Sequence, residues 1–348
     1  MDLTLSAEEE AVRDAIRTVL VERSGMARVR VLTQTRPARD ESVWQAAGEL
    51  GWFGLALSEP AGGAGYGVVE EMLLATELGR SLAPGPWLGT MLAAHALADV
   101  APLRRVHAAV LGGQHPVALV DDPDDQLGSG AELRGTLVPV PDAGLALGLL
   151  VLRRNRADYL TVPAPGVRLS ERGGMDATRH VWRITCENAI GHSLAIEAGT
   201  LRRRATVLAA AEALGVAERT LEQSVEYAKV RQQFGKPIGS FQAIKHRCAD
   251  MAVRVEAARS LVAVAAVALN DGLPEAPLYV HAAKTLATNA ALANATDNVQ
   301  NHGGMGFTWE NDAHYFLKRA WLLEHTCGTR ARHLDAIAAP WRASAGRS

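Results

Sequence analysis

The chain has 348 residues, 48% of them apolar, with 36 basic against 38 acidic side chains and a net charge of −2. That length accommodates two or three domains with sizeable cores. The near-balance of charge gives no electrostatic case for nucleic acid or an anionic membrane as a partner. The three cysteines, Cys186, Cys248 and Cys327, show no CxxC spacing, which argues against a disulfide framework and a zinc site, so no metal is expected. The opening MDLTLSAEEE is acidic and lacks an apolar signal core, and the longest apolar runs, near Ala143–Leu152 and Leu261–Leu269, are too short to span a bilayer. The expectation is a soluble, cytoplasmic protein.

Residues 1–115 read as a helical domain. Ser6 with Glu9 fits a capping box, and Val12, Ile16, Val19 and Leu20 follow at helical spacing. Trp44, Ala47 and Leu50 mark another helix ending at Gly51. The stretch 58–67, SEPAGGAGYG, places four glycines in ten residues and predicts a loop. It lacks the Gly-Lys-Ser/Thr ending of a P-loop and follows no clear strand. Helices are expected at about Val68–Leu78 and Pro86–Ala98.

Residues 116–195 change character. Short β-rich runs at Val117–Val120, Leu145–Leu152, Tyr159–Val162 and His180–Cys186, with turn signals between some of them, predict a small antiparallel barrel or sandwich of about seven strands. Residues 196–348 read as long helices at about 197–230, 241–270, 277–299 and 313–337, hence an antiparallel four-helix bundle. The fold class is therefore α+β, mainly α. The run Arg202-Arg203-Arg204 reads as a solvated face or an interface rim, with an anion site as the alternative.

The most informative stretch is 227–251, YAKVRQQFGKPIGSFQAIKHRCADM. A helix is expected to run to Phe234-Gly235, and a second to open at a Ser240 N-cap. Arg231 in the last turn has a plain explanation, since a cation complements the helix dipole there. It has a sharper one too, because a planar guanidinium fork suits a phosphate bidentately. Gly235 lets backbone approach a ligand closely, and Gln242 can bond a sugar or amide. Chemistry alone favours the plain reading.

The pattern Arg231-x-x-Phe234-Gly235, Pro237-Ile238 and Phe241-Gln242, with the glutamine eleven positions after the arginine, resembles a signature of the acyl-CoA dehydrogenase family. A second block, Gln300-Asn301-His302-Gly303-Gly304-Met305-Gly306, is similar to that family's Gln-x-x-Gly-Gly-x-Gly flavin block. The resemblance implies FAD, an acyl-CoA substrate and an electron-transfer flavoprotein as acceptor. It implies that Arg231, Phe234, Gln242, Gln300, Gly303 and Gly304 reach across a subunit interface to the adenosine and pyrophosphate end of a neighbour's FAD. The loop at 58–67 is similar to the family loop near the acyl pocket, and is read as structural with possible substrate contact.

Two family features are missing. The glutamate that removes the α-proton lies in most members in a Tyr-Glu-Gly-Thr stretch. Here that stretch is Thr326-Cys327-Gly328-Thr329, so Cys327 takes the carboxylate's place. In other members the base lies on the helix before Arg-x-x-Phe-Gly, and that place falls at Ala205. No catalytic residue is expected. Glu324, one turn before Cys327, is the remaining candidate for a displaced base, and a buried inert thiol is the plainer reading of Cys327. The middle-domain Thr-Glu-Pro loop, which in the family holds a chain's own flavin, here reads Asp121-Asp122-Pro123-Asp124-Asp125. Its carboxylates would repel a pyrophosphate, and a solvated turn is the preferred reading.

The implied function is a subunit that completes a homologous catalytic partner's FAD site while its own is degenerate. Some actinobacterial family members linked to cholesterol side-chain breakdown are such obligate α2β2 pairs. The alternatives are a self-sufficient homo-oligomeric flavoenzyme using Glu324, and a flavin-free scaffold subunit.

Overall fold

The computed structural model describes residues 3–34 and 39–345; Met1 and Asp2 of the acidic opening lie outside them. The helices are α1 (Ala7–Arg23), α2 (Met26–Leu32), α3 (Glu41–Glu49), α4 (Val68–Arg80), α5 (Trp87–Leu97) and α6 (Arg104–Leu111), then α7 (Ala198–Val230), α8 (Gln242–Asn270), α9 (Ala276–His302), α10 (Ala313–His325) and α11 (Arg330–Ala345). Between α6 and α7 run β1 (Val117–Asp122), β2 (Glu132–Pro141), β3 (Gly148–Arg153), β4 (Ala157–Thr161), β5 (Val167–Arg172), β6 (Val181–Ile190) and β7 (His192–Leu194). A helical N-terminal part, a small β part and a C-terminal helical bundle thus follow one another, as the patterning predicts.

Packing groups the chain into two compact units: residues 18–71 with 83–205, and residues 1–17 with 72–82 and 206–348. In the first, an aromatic cluster of Trp44, Phe53 and Trp87 sits under α3 and α5, and the Trp44 Nε1–H donates to the Gly113 carbonyl at 2.8 Å. Leu50 does not join this core: it is 56% exposed. It is the C-cap of α3, one residue past the helix end at Glu49. The glycine loop consumes its own amides. Gly63 N–H bonds Ser58 O, Ala64 bonds Gly54 O, Gly65 bonds Leu57 O and Tyr66 bonds Leu55 O. These are turn bonds and leave no row of donors for a phosphate.

The β part is two sheets, ordered β1-β3-β4-β7 and β2-β6-β5. One pair departs from the all-antiparallel expectation, since β1 runs parallel to β3. β2 leaves for the other sheet and supplies the crossover that parallel neighbours need. The facing side chains, including Val120, Leu133, Leu149, Val151 and Ile184, form the β core. Composition misses β2 and β5 because half of β2 is exposed and no residue of β5 is fully buried.

In the second unit α9 packs against α8, α10 and α11. Alanines 283, 287, 291 and 295 are buried along it, so neighbouring backbones approach closely. The crossing of α4 and α7 is closer still: a Cβ on Gly215 would lie 1.9 Å from Thr76 O, and one on Gly79 would lie 2.0 Å from Glu212 O. Only glycine fits both places. Arg319 of α10 is fully buried and pairs with Glu212 at 2.8 Å.

The expected helix 313–337 is two helices, because Cys327 (φ +57°) and Gly328 (φ +100°) turn left-handed and break it. α7 ends at Val230, matching the expected segment 197–230 and not the extension to Phe234-Gly235. Gln232–Gln233 (β8) instead pairs with Lys236–Pro237 (β9), and Phe234 (φ +51°) with Gly235 (φ +78°) forms the connection. Two positive φ values in a two-residue loop suit the twist of a tight hairpin. Ser240 is not the α8 cap: its hydroxyl donates to the Pro237 carbonyl at 2.8 Å, and Phe241 holds the cap position.

Candidate functional site

The hairpin determines what the end of the bundle displays. A bulky residue at positive φ is a strained choice, and here it drives the Phe234 ring outward to 90% exposure. That ring meets Phe241 edge-on at 6.0 Å, and the Lys236 ammonium lies 4.7 Å above the Phe241 ring. Arg231 follows directly on α7 and is exposed. Gln242 opens α8 and Gln300 lies in the last turn of α9, both exposed. Among the described residues, none of these three side chains has a partner within the chain.

The C-terminus of α9 is held against α7 by a polar network. Ser224 Oγ donates to Asn298 Oδ1 at 2.8 Å, Asn298 Nδ2 donates to Gln223 Oε1 at 2.8 Å, and the His302 ring stacks on Tyr227 at 4.2 Å. Both Ser224 and Asn298 are fully buried, so the network fixes the two helix ends. Gly303 then turns with φ +61°, and no atom lies within 4 Å of where a Cβ on Gly303, Gly304 or Gly235 would be. Beside these residues is a cavity of about 380 Å³ lined by Arg219, Glu226, Tyr227, Val230, His302 and Asp312 among others. Five large apolar side chains surround this end: Val230, Phe234, Met305, Phe307 and Trp309 are between 49% and 90% exposed.

An exposed guanidinium without a partner, two free amides and glycine turns facing open space fit a phosphate-bearing ligand approached from outside the chain. The six residues proposed from sequence thus lie on the ends of α7, α8 and α9 and the hairpin between α7 and α8.

The position expected for the family base is built differently. Cys327 is 7% exposed, and the backbone at and around it is held by an ammonium and an imidazole that sequence reading missed. Lys284, fully buried on α9, donates from Nζ to Leu323 O at 2.8 Å and Gly328 O at 3.2 Å. Burial pushes its ammonium down to about 8. His333 Nε2–H donates to Cys327 O at 3.1 Å, so its Nδ1 accepts from His281 Nδ1–H at 2.9 Å. Burial, then the Lys284 charge and His281, push His333 down to about 4. The signal for Lys284 was one charged residue interrupting a buried alanine stripe on α9. Glu324 is committed elsewhere: its Oε1 accepts the Arg330 N–H at 3.1 Å, at the first residue of α11. Ala205 is fully buried.

The His333 depression carries a pH consequence. The neutral ring is favoured in the fold, so its contribution is complete above the ordinary value of 6.5 and is lost as pH falls towards 4. At about 1.4 kcal/mol per unit the loss amounts to roughly 3 kcal/mol. A His333→Gln variant should show a flatter decline in urea stability between pH 6.5 and 4 than the parent. Parallel declines would remove His333 as the cause.

Two of the three arginines, Arg202 and Arg204, are not part of a solvated face, whereas Arg203 makes exposed contacts with Thr200 and Glu197. Arg204 Nε donates to buried Glu71 at 2.7 Å, and Glu71 also meets His95 at 2.6 Å. Those two partners hold the Glu71 carboxyl below its usual range against its burial. Arg202 Nε donates to Asp121 at 2.8 Å.

The bundle, the two small sheets and the outward-facing corner define an acyl-CoA dehydrogenase architecture. The chain belongs to the acyl-CoA dehydrogenase family: its N-terminal domain description matches residues 6–102 and its C-terminal domain description residues 191–340. It is 35% identical to the acyl-CoA dehydrogenase IpdE2 of Mycobacterium tuberculosis over 91% of this chain and 92% of that one. Among solved structures it is similar to a variant of the Tcur3481–Tcur3483 steroid ACAD, with TM-score 0.87, 25% identity and coverage of 99% and 100%. It is equally similar to the ChsE4–ChsE5 complex from Mycobacterium tuberculosis, with TM-score 0.89, 25% identity and coverage of 98% and 99%. The family consists of oxidoreductases acting on CH–CH groups and implies FAD. No described helix is long and apolar enough to cross a membrane.

Proposed function

We propose that the chain is the non-catalytic subunit of a heteromeric, FAD-dependent acyl-CoA dehydrogenase, and that it completes the FAD site of a homologous catalytic subunit. The observation that carries this is the contrast at the end of the bundle. Arg231, Gln242 and Gln300 are exposed without partners, whereas the base position holds a buried thiol and Glu324 is tied to α11. FAD, when bound, supplies the hydride acceptor for α,β-dehydrogenation of an acyl-CoA. This chain's Arg231 would pair with the pyrophosphate, Gln242 would orient the adenylate end, and the Gln300–Gly304 turn would bring backbone close to phosphate and ribose. Phe234 covers the nucleotide from water. The likeness to a steroid ACAD supports a steroid-derived acyl-CoA as substrate.

The test is expression of this chain alone and with its catalytic partner, followed by a flavin absorbance spectrum and native mass. Alone it should be flavin-poor and inactive, and the pair should be yellow and active. A lone preparation with stoichiometric FAD and full turnover would refute the reading. Glu324→Gln in the complex should leave turnover within about two-fold, whereas loss of a general base costs roughly 100-fold or more.

A further inference from the structure

The cavity of about 380 Å³ at the end of the bundle has a chemistry that a nucleotide at Arg231 leaves unused. Its wall carries two carboxylates, Glu226 and Asp312, against one guanidinium, Arg219. That guanidinium is already shared, with Arg219 Nη1 at 3.1 Å from Glu222 and 3.5 Å from Glu226. Glu222 is itself held by Arg80 Nη2 at 2.7 and 2.8 Å. Glu226 is left with one long contact, and its side chain is 64% exposed. The wall also holds two stacked rings, Tyr227 and His302. The His302 Nδ1–H donates to Asn298 O at 2.8 Å, so Nε2 of the neutral ring is an acceptor. A planar cation suits such a wall, because its N–H fork matches a carboxylate and its face stacks on an aromatic ring. An anion would meet Glu226 and Asp312 instead.

The position of the cavity says what brings the cation. Val230 lines it and is also one of the exposed apolar side chains of this end. Met305, Phe307 and Trp309 stand exposed on the segment that leads from α9 to Asp312, the N-cap of α10 and a second lining residue. A polypeptide that covers the apolar face therefore also covers the cavity. It takes the Glu226 carboxylate out of bulk water, which is costly unless an opposite charge arrives with it.

We propose that this cavity receives an arginine side chain of the catalytic partner, which bonds Glu226 and Asp312 and packs on the Tyr227–His302 pair. It is a second anchor between the subunits, separate from the nucleotide. The inference rests on the reading that a homologous subunit covers this end of the bundle. In that reading Arg231, four residues beyond Tyr227, is neutralised by the pyrophosphate and does not compete with the incoming guanidinium.

The test is the Kd of the co-expressed pair, measured by sedimentation at saturating FAD over a range of salt. Glu226→Lys should weaken assembly at least about 10-fold, the scale of a desolvated charge pair. Glu226→Gln should weaken it less and flatten its salt dependence. Glu8→Gln, the same loss of charge on the exposed first turn of α1, should match the parent. Phenylglyoxal modification read by mass spectrometry should find an arginine of the partner protected in the parent pair and reactive in the Glu226→Gln pair. Glu226 is mostly exposed, so both variants should melt with the parent. Parent affinity in Glu226→Lys, equal weakening by Glu8→Gln, or the lack of such an arginine would overturn the anchor and leave the proposed function standing. A parent chain that never pairs would overturn the proposed function, and the anchor with it.

Discussion

Replacing Arg231 by alanine in the assembled complex should weaken flavin binding roughly 10- to 100-fold, the range expected for loss of charge-assisted hydrogen bonds to a phosphate. The prediction is sharp because the side chain has no partner inside the chain, so its removal leaves no buried group unpaired and costs the fold little. Flavin retained after gel filtration and the Kd from flavin fluorescence read the effect. Arg231→Lys should fall between parent and alanine, since it keeps the charge and loses the planar fork. Equal flavin content in all three would assign Arg231 to complementing the dipole of α7, and would favour a flavin-free scaffold subunit.

The largest loss of stability is expected from Arg153→Met. Arg153 is 1% exposed and bonds Asp158, itself 1% exposed, at 2.6 and 3.2 Å, besides the carbonyls of Gly128 and Gly130 in the loop between β1 and β2. Removing one partner of a buried pair costs about 3–5 kcal/mol because the other charge stays buried. Arg156 remains on Asp158 at 2.8 Å, which places the expectation near the lower figure. The urea midpoint should fall, and protease should cut at 123–131 in the variant before it cuts the parent. A midpoint change equivalent to less than about 1 kcal/mol, the scale of a surface pair, would show that Arg156 alone satisfies Asp158.

What sequence reading captured and missed divides along physical lines. Local chemistry was legible. The Ser6 capping box forms as written, with Glu9 N–H on Ser6 Oγ at 3.2 Å and Ser6 N–H on Glu9 at 2.6 Å. The long helices follow their apolar periodicity to within a few residues, except where a left-handed residue intervenes. Neither Phe234 nor Cys327 advertises a positive φ, so the hairpin after α7 and the break between α10 and α11 were invisible. Long-range pairing was hidden as well. A run of three arginines looks solvated until Glu71 and Asp121, far away in sequence, are brought to it. The candidate corner was named through family likeness; its chemistry alone pointed to helix capping. The structure adds that these side chains face outward and unengaged. Lys284 and His333 were missed because their bonds to backbone carbonyls, and the meeting of His333 with His281, are made only by the fold.

The exposed rings and aliphatic groups at the end of the bundle carry a cellular consequence. Val230, Phe234, Met305, Phe307 and Trp309 together make a sticky face that a monomer in a crowded cell would present to any other nonpolar surface. Overproduction of this polypeptide without its companion should therefore feed aggregates and proteolysis. Under the proposed function, that favours coupled, balanced synthesis of this chain and its partner.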